Sequence, residues 1–393
     1  MGSLSRWVIF LAAFFCIYGA FHLYVLIKVR RALYLESWGY ILWVVILLFL
    51  MTALINARIL TESYPIFSLA LTWIGYLWMA YLFLFVCLAI PIDSYHLMVS
   101  LLQQLFNVDW TNVVMLRRNS LALVAIGAGG VMIYGAYAAY QVGVEHISLR
   151  SPKISATDGR VRIVQISDLH LGQMLYPGRL NPILATIRTA QPDILVSTGD
   201  LVDGKIMNET EVARELNALP AKIGKFSVSG NHEKYHGIEN AMAFTSDAGF
   251  KPLHDESVPL GHSIIVVGLD DASERQKERE LLAGLPPEKF ILLLKHRPDV
   301  TDGSPNHFDL QLSGHTHKGQ IFPFGLIVKL FYPMYDGLYR LTNGGHLYVS
   351  RGTGTWGPPI RVFAPPEVTI IDLLPQKAPS PTGPIVTPQT GSK

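Results

Sequence analysis

Four long runs of apolar residues in the first third of the chain restrict its fold more than any other feature. Each run has roughly the 20 apolar residues that an α-helix needs to cross the hydrocarbon core of a bilayer. A backbone surrounded by lipid must satisfy its hydrogen bonds internally, so runs of this length fold as membrane-spanning helices. A cleaved signal peptide would explain only the first of them. The predicted spans are residues 7–27, 38–57, 66–90 and 120–140.

The composition divides the chain into three regions. Half of its 393 residues are apolar and only 16% are charged, and the apolar excess lies almost entirely in residues 1–142. This region is predicted to be an all-α segment with four spans and an amphipathic helix, residues 92–106, that lies in the membrane interface. The alternative is that residues 92–106 form an ordinary connecting helix. Residues 143–374 have the composition of a globular domain, and residues 375–393, rich in Pro, Ser, Thr and Gly, are predicted to be disordered.

The basic residues near the spans indicate how the chain lies in the membrane. Four spans place both ends of the region on the same side of the bilayer. The loops on the opposite side carry slightly more Lys and Arg, so the positive-inside rule predicts a multi-pass protein of the cell membrane with its C-terminal domain outside the cytoplasm. The basic residues of those loops are Lys28, Arg30, Arg31, Arg117 and Arg118, and those on the other side are Arg6, Arg58, Arg150 and Lys153.

Charge and cysteine content exclude two classes of function. The chain has 32 Lys and Arg against 30 Asp and Glu, a formal net charge of +2, so no nucleic-acid binding is expected. Its two cysteines, Cys16 and Cys87, both lie in apolar runs. They therefore predict neither a disulfide framework nor a thiolate zinc site. The partner that the composition does predict is the lipid bilayer.

Polar side chains follow five apolar strands of the C-terminal region, at the point where each strand is predicted to end. Any one of them has an ordinary explanation as a turn residue. Since sites in open α/β sheets form at the carboxyl ends of strands, five such endings together indicate one shared site with nitrogen and oxygen ligands. The side chains concerned are Asp168, His170, Asp200, Asn231, His232, His296, His315 and His317.

These residues resemble the motifs of the calcineurin-like metallophosphoesterase superfamily. The chain contains, in order, Asp-Leu-His at 168–170, Gly-Asp at 199–200, Gly-Asn-His-Glu at 230–233, a single His296, and Gly-His-Thr-His at 314–317. The strings SDLHLG, GHTHKGQ and SRGTGTWGPPIR are further similar to a branch of membrane-associated bacterial phosphoesterases. The resemblance covers about residues 158–374. It implies an α/β fold, a four-layer α/β/β/α sandwich, that follows the transmembrane segment.

The resemblance also implies a site for two divalent metal ions. Nitrogen and oxygen donors without thiolate suit Mn, Fe, Zn, Ni or Co. His232 is expected to be a catalytic residue that protonates or stabilises the leaving oxygen, while Asp203 and Glu233 orient histidines. Carried over by position, Asp168, His170 and His317 bind the first ion, Asn231, His296 and His315 bind the second, and Asp200 bridges both.

Arg351 is the predicted substrate-binding residue. It follows a predicted strand, and its guanidinium can bind a phosphate or carboxylate through two parallel hydrogen bonds. A structural or surface role is the alternative.

Together these features predict a membrane-anchored hydrolase acting on ester bonds, in which a hydroxide bridging two metals attacks phosphorus. The substrate is a phosphate monoester or diester, with lipid-linked phosphates among those that fit. One alternative is a role like that of the UDP-diacylglucosamine pyrophosphate hydrolase of lipid A synthesis, which needs a cytoplasmic domain. Another is a non-catalytic membrane scaffold that binds metal only structurally.

Overall fold

A computed structural model of the chain describes residues 3–172, 177–271, 273–300 and 308–376. The tail predicted to be disordered lies, from residue 377 onward, outside the described residues. As predicted, the N-terminal region folds into four apolar helices, each long enough to cross a membrane. These are α1 (Ser3–Leu33), α2 (Ser37–Leu60), α3 (Pro65–Phe106) and α4 (Arg117–Tyr140).

The third of these helices differs from the prediction. α3 runs for 42 residues without a break, so residues 92–106 are helical as predicted but continue α3 instead of forming a separate helix, and their position in the membrane interface stays a prediction. Pro91 lies inside the helix. Neighbouring groups in a membrane can compensate for the hydrogen bond that a proline removes, so Pro91 does not have to end it. At 1.5 Å per residue α3 is about 63 Å long, roughly twice the thickness of the hydrocarbon core, and it therefore extends beyond that core.

The C-terminal region contains two six-stranded sheets. The first consists of β1 (Gly143–Ser151), β2 (Val161–Ile166), β3 (Ile194–Ser197), β4 (Gly224–Ser227), β5 (Lys251–Pro252) and β12 (Glu367–Pro375). The second consists of β6 (Glu256–Leu260), β7 (Ile264–Leu269), β8 (Phe290–Lys295), β9 (Leu310–Ser313), β10 (Gly337–Arg340) and β11 (His346–Val349). The strand orders are β1-β12-β2-β3-β4-β5 and β10-β11-β9-β8-β7-β6.

The two sheets pack face to face and are covered by helices on their outer faces. The inner core joins Ile163 and Val196 of the first sheet to Leu292 and Leu312 of the second. The helices of the domain are α5 (Pro177–Ala190), α6 (Glu209–Asn217), α7 (Asn231–His236), α8 (Ile238–Asp247), α9 (Arg275–Ala283) and α10 (Phe324–Phe331). α5, α6 and α8 pack on the first sheet and α9 on the second. The predicted four-layer α/β/β/α sandwich is thus confirmed.

The domain also packs directly against the membrane helices. The backbone N–H of Arg361 donates a hydrogen bond of 2.9 Å to the carbonyl of Gly135 in α4. Ile360 and Val362 belong to the same apolar cluster as side chains of α1, α3 and α4. The loop of residues 351–362 therefore holds the domain against the helices, and the candidate site lies beside this junction.

Candidate metal centre

Five loops bring the predicted site residues together at one edge of the sandwich. β2, β3 and β4 are parallel neighbours in the first sheet, and β8 and β9 are parallel neighbours in the second. The loops at their carboxyl ends meet because the two sheets are packed face to face. These loops carry Asp168 and His170, Asp200, Asn231 and His232, His296, and His315 and His317.

The backbone of these loops adopts an uncommon conformation. Five of the site residues have positive φ angles, between 48° and 72°. Left-handed backbone costs an L-residue about 1–2 kcal/mol, and it persists at functional sites where the surrounding structure enforces it. The five are Asp168, His170, Asp200, His315 and His317.

Two motif glycines let the loops approach one another. A β-carbon on Gly230 would collide with the carboxylate of Asp200, and one on Gly314 would collide with the carboxylate of Asp168. The glycine before Asn231 and the glycine before His315 are therefore required by the close packing of neighbouring loops.

The first cluster of ligand atoms comes from Asp168, His170 and His317. Nε2 of His170 lies 3.1 Å from Nε2 of His317, which in turn lies 3.3 Å from Oδ1 of Asp168. One donor atom from each residue lies within 4.8 Å of the other two, and all three side chains are buried. The structure thus brings together the set that the resemblance assigns to the first metal ion.

The second cluster comes from Asp200, His296 and His315. Nε2 of His296 lies 3.2 Å from Oδ2 of Asp200 and 3.1 Å from Nδ1 of His315. The Nδ1–H of His296 donates to the carbonyl of Thr198 at 2.8 Å, so the lone pair of its Nε2 is directed into the cluster. His315 and His317, two residues apart in sequence, therefore lie in different clusters.

Asp200 lies between the two clusters. Its Oδ2 is 3.2 Å from Nε2 of His296 and 3.9 Å from Nε2 of His170. Its Oδ1 accepts a hydrogen bond of 2.9 Å from the backbone N–H of His232. The position is the one expected of a carboxylate shared by two ions.

The donors in both clusters fit divalent cations. Two pairs of imidazole nitrogens face each other at 3.1 Å, and two lone pairs at this distance repel unless a proton or a cation lies between them. The buried side-chain oxygen of Asn231 finds no hydrogen-bond donor among the described residues. Since an unsatisfied buried amide oxygen is costly, a cation beside it would offset that cost.

The electrostatic surroundings of the ligand side chains favour the binding of cations. Burial raises the pKa of Asp168 and Asp200, but the surrounding imidazoles outweigh it and hold both values well below the usual range. Burial lowers the pKa of His315 to about 3 and that of His317 to about 4, so both rings are neutral at pH 7. Burial also lowers the pKa of His296, but the Asp200 carboxylate raises it to about 10 overall. The buried carboxylates thus attract positive charge, whether a proton or a metal ion.

His232 lies beside the two clusters on the side of the solvent. Its Nδ1 is 2.8 Å from Oδ1 of Asp203, and its ring contacts the rings of Tyr235 and Trp356. Burial lowers the pKa of His232, but the hydrogen bond to Asp203 and the charge of Asp200 raise it above the ordinary value. The ring is close enough to His170 and Asp200 to form a third possible ligand group, so geometry alone leaves two roles open to it.

The two carboxylates predicted to orient histidines have different roles. Asp203 does so, since it contacts Nδ1 of His232. Glu233 instead accepts hydrogen bonds from the backbone N–H groups of Asp200, Val202 and Gly230, at 2.8–3.1 Å. The prediction for Glu233 is therefore wrong, because its side chain turns back onto the loops and fixes the backbone rather than a histidine.

Arg351, the predicted phosphate ligand, is paired with carboxylates of the domain. Its Nη2 lies 2.6 Å from both Glu145 and Glu367. The guanidinium is thus already held in ion pairs, and its role in binding substrate stays a prediction.

A different arginine of the same sequence motif reaches the metal centre. Arg361 is completely buried, and its Nη1 donates to the carbonyl of His317 at 3.1 Å while its Nη2 lies 3.2 Å from Nδ1 of the same residue. It also donates to the carbonyls of Arg351 and Gly354. Arg361 therefore positions His317, a role that the sequence motif contained but did not distinguish from that of Arg351.

The candidate metal centre opens into a cavity of about 780 Å³ that is formed by both regions of the chain. His170, Asp203, His232 and Trp356 line the side of the domain. The opposite wall comes from α2 and α3 and includes Leu54, Arg58, Thr61, Thr72 and Tyr76. Sequence analysis did not predict this second wall, because nothing in the pattern of either region refers to the other.

The comparisons with known proteins all indicate the same protein family. A model of the calcineurin-like phosphoesterase family matches residues 161–319. An uncharacterized metallophosphoesterase of Aquifex aeolicus is 34% identical over 253 residues, which are 62% of this chain and 97% of that protein. The uncharacterized metallophosphoesterase YkuE of Bacillus subtilis is 32% identical, over 65% of this chain and 93% of that protein. A transmembrane protein with metallophosphoesterase domain from Danio rerio is 29% identical, and the match spans 65% of this chain and 63% of that protein.

Proposed function

The chain belongs to the calcineurin-like phosphoesterase family, and on this basis we propose that it is a membrane-bound hydrolase that cleaves a phosphate monoester or diester at a site for two divalent cations. The observation that supports this most is the pair of Asp/His clusters joined through Asp200. A scaffold that bound metal only structurally would not need His232 and Asp203 beside them, facing a cavity of this size.

In the proposed reaction, a water oxygen forms a bond to phosphorus while the bond from phosphorus to the leaving oxygen breaks. Bound cations supply Lewis acidity, which stabilises the charge on the phosphoryl oxygens and lowers the pKa of the water. The attacking water loses a proton to solvent, while His232 donates a proton to the leaving oxygen and is then protonated again from solvent. Asp203 holds the ring through Nδ1, which leaves Nε2 as the atom for proton transfer. One cation would be held by Asp168, His170 and His317, the other by Asn231, His296 and His315, and Asp200 would be shared.

The proposal is tested with the purified full chain and two chromogenic substrates. p-Nitrophenyl phosphate and bis-p-nitrophenyl phosphate distinguish monoester from diester hydrolysis, and Mn, Fe, Zn, Ni and Co added one at a time identify the metals that support it. We expect hydrolysis that a chelator abolishes, together with about two metal ions per chain by elemental analysis. Absence of both hydrolysis and bound metal would refute the proposal.

The positions of the two histidines of the Gly-His-Thr-His sequence predict a selective loss of metal. His317→Ala removes a donor from the first cluster and His315→Ala one from the second. We expect each variant to lose mainly one of the two ions, measured by elemental analysis and by titration with Mn. His262→Ala, a change outside the described clusters, is the control. Loss of the same single ion in both variants would contradict the assignment.

Exposed apolar side chains of the domain support the bilayer as its partner. In α10, Leu330 is 80% and Phe331 is 75% exposed, although both are large and apolar. The ring of Phe324, at the start of this helix, lies 6.3 Å from that of Phe83 in α3. An apolar helix surface next to a membrane helix is best accommodated by lipid. The face of the domain that carries α10 is therefore proposed to contact the membrane.

The basic residues at the other end of the helices support a proposal for the membrane side of the domain. Arg30 and Arg31 end α1 and Arg117 and Arg118 begin α4, both far from the junction with the domain. By the positive-inside rule this end is cytoplasmic and the domain is outside. We expect a C-terminal alkaline phosphatase fusion to be active and a green fluorescent protein fusion to be dark. The reverse result would place the domain in the cytoplasm.

A further inference from the structure

The wall that the membrane helices contribute to the cavity carries a cation. Arg58 lies in the last turn of α2, its side chain is exposed, and it lines the cavity opposite His170 and His232. Within the part of the chain that the structure describes, no carboxylate forms an ion pair with Arg58. A guanidinium in this position can bind a phosphate oxygen of a molecule that occupies the cavity.

α3 is packed firmly against the domain at the same point. A β-carbon on Gly357, which follows Trp356 in the cavity wall, would lie 3.1 Å from the ring of Tyr76. Tyr76, Asp203 and Arg58 all line the same cavity. Tyr76 therefore connects the helix that carries it to the loops around the metal centre, and the two walls form one cavity.

An apolar groove adjoins this cavity on the outer surface of the helices. It lies between α1 and α2, has a volume of about 370 Å³, and shares Leu54 and Arg58 with the cavity. From Met51 to Ile59 it follows α2 for about 12 Å. Apart from Arg58, its lining is aliphatic or aromatic: Phe14, Phe15, Tyr18, Met51, Leu54, Ile55 and Ile59.

The polar cavity and the apolar groove correspond to the polar and the apolar end of an amphiphilic molecule. A polar cavity with metal ligands is followed by a cation at Arg58 and then by an apolar groove on helices long enough to cross a bilayer. A water-soluble phosphate ester has nothing to place in such a groove, whereas an acyl chain gains free energy for each methylene group that it buries. The boundary between phosphate and hydrocarbon would fall at Arg58.

We propose that the cavity and the groove together bind one membrane lipid that carries a phosphate ester, with the phosphate at the metal centre beside Arg58 and an acyl chain between α1 and α2. This inference rests on the proposed phosphoesterase function and specifies its substrate class. The lipid reaches the site laterally from the bilayer, because the groove lies on the outer surface of the helices.

The test is a binding measurement with alkyl phosphates of increasing chain length. Ethyl, hexyl and dodecyl phosphate share one headgroup, and calorimetry gives their dissociation constants for the Mn-loaded full chain in phosphatidylcholine nanodiscs, with empty nanodiscs as the blank. We expect binding to tighten by at least about tenfold from ethyl to dodecyl phosphate. Equal dissociation constants for the three would overturn the inference.

Two variants separate the groove from the headgroup site. Ile55→Trp fills the groove and is expected to reduce the chain-length effect to less than about twofold, while Leu48→Trp, an exposed position of α2 outside the groove, retains it. Arg58→Gln is expected to weaken all three ligands by about tenfold and to leave the chain-length effect unchanged. If Leu48→Trp abolishes the effect as Ile55→Trp does, the groove is not the chain site.

The result of the binding measurement does not depend on the result of the hydrolysis assay. A chain that hydrolyses p-nitrophenyl phosphate but binds the three alkyl phosphates equally is a phosphoesterase for soluble esters. A chain that binds them in order of length but hydrolyses nothing retains the lipid site and loses the proposed reaction.

Discussion

Replacing His232 with asparagine is expected to lower hydrolysis of phenyl phosphate by about 10²–10⁴-fold while both metal ions stay bound. Asparagine keeps a side-chain N–H that can donate to Asp203, as Nδ1 of His232 does across 2.8 Å. It cannot supply a proton to the leaving oxygen. Turnover and metal content of the same preparation are measured by product release and elemental analysis.

The leaving group provides the control for this role. p-Nitrophenolate is a weaker base than phenolate and needs less protonation, so the loss on p-nitrophenyl phosphate should be smaller than that on phenyl phosphate. Equal losses on both substrates would show that His232 does not act as the acid. Loss of a metal ion from the variant would instead identify His232 as a ligand, the other role that its distance from His170 and Asp200 permits.

Asp203→Asn tests the same step through pH. Burial lowers the pKa of His232, and the Asp203 carboxylate is the main group that raises it. Without that negative charge the pKa falls, and the ring loses its proton at a lower pH. Since an acid must be protonated to act, the alkaline limb of the activity profile should move to lower pH in Asp203→Asn.

That the candidate ligands lie together was predictable because they follow strands that are apparent from the sequence. Asp168, Asp200 and His296 all come within three residues of an apolar strand, and the carboxyl ends of parallel strands meet. The assignment of His315 and His317 to different clusters required the family resemblance, since spacing alone allows both to contact one ion. The four membrane helices were equally predictable, because lipid leaves a backbone few alternatives.

The features that could not be predicted depend on contacts between distant segments. Arg351 and Arg361 lie ten residues apart in one loop, and only the path of that loop along α4 decides that Arg361 faces His317. Glu233 was expected to face a histidine, but its side chain turns toward three backbone N–H groups. The sequence was divided into a span ending at residue 90 and a separate helix from residue 92, yet α3 continues through Pro91.

The cavity could not be predicted either, because two regions that are far apart in the sequence form it. Arg58 is one basic residue at the end of an apolar run, which the sequence suggests is only a flanking charge. Tyr76 of α3 packs against Gly357, and α2 packs against α3 at Leu54 and Gly75, so the end of α2 that carries Arg58 lies at the cavity beside the candidate metal centre. No periodicity in either region contains that information.

Replacing Asp200 with asparagine is expected to have the largest effect on metal binding of any single change. The asparagine side chain has the same shape as that of Asp200 and could still accept the backbone N–H of His232, so the loop should keep its structure. The change would remove a negative charge that lies between the clusters, 3.2 Å from His296 and 3.9 Å from His170. Loss of an outer partner of a ligand already costs about 10–100-fold in metal affinity, and a shared ligand should cost more at both ions.

Metal titrations of Asp200→Asn and Asp203→Asn form the matched comparison. Both changes remove one carboxylate charge at nearly constant volume, but Asp203 contacts the Nδ1 atoms of His232, at 2.8 Å, and of His170, at 3.4 Å, and not the Nε2 of His170 that belongs to the first cluster. We expect Asp200→Asn to bind neither ion at a concentration of Mn that saturates the original chain. Asp203→Asn should still bind both, with the first ion weakened by about 10–100-fold because the contact to His170 is lost. If Asp200→Asn keeps one ion at full affinity, Asp200 is a ligand of a single ion, and the two clusters are linked by another group. If Asp200 is shared by both ions, Asp200→Asn must lose both ions together. Neither His315→Ala nor His317→Ala should lose both.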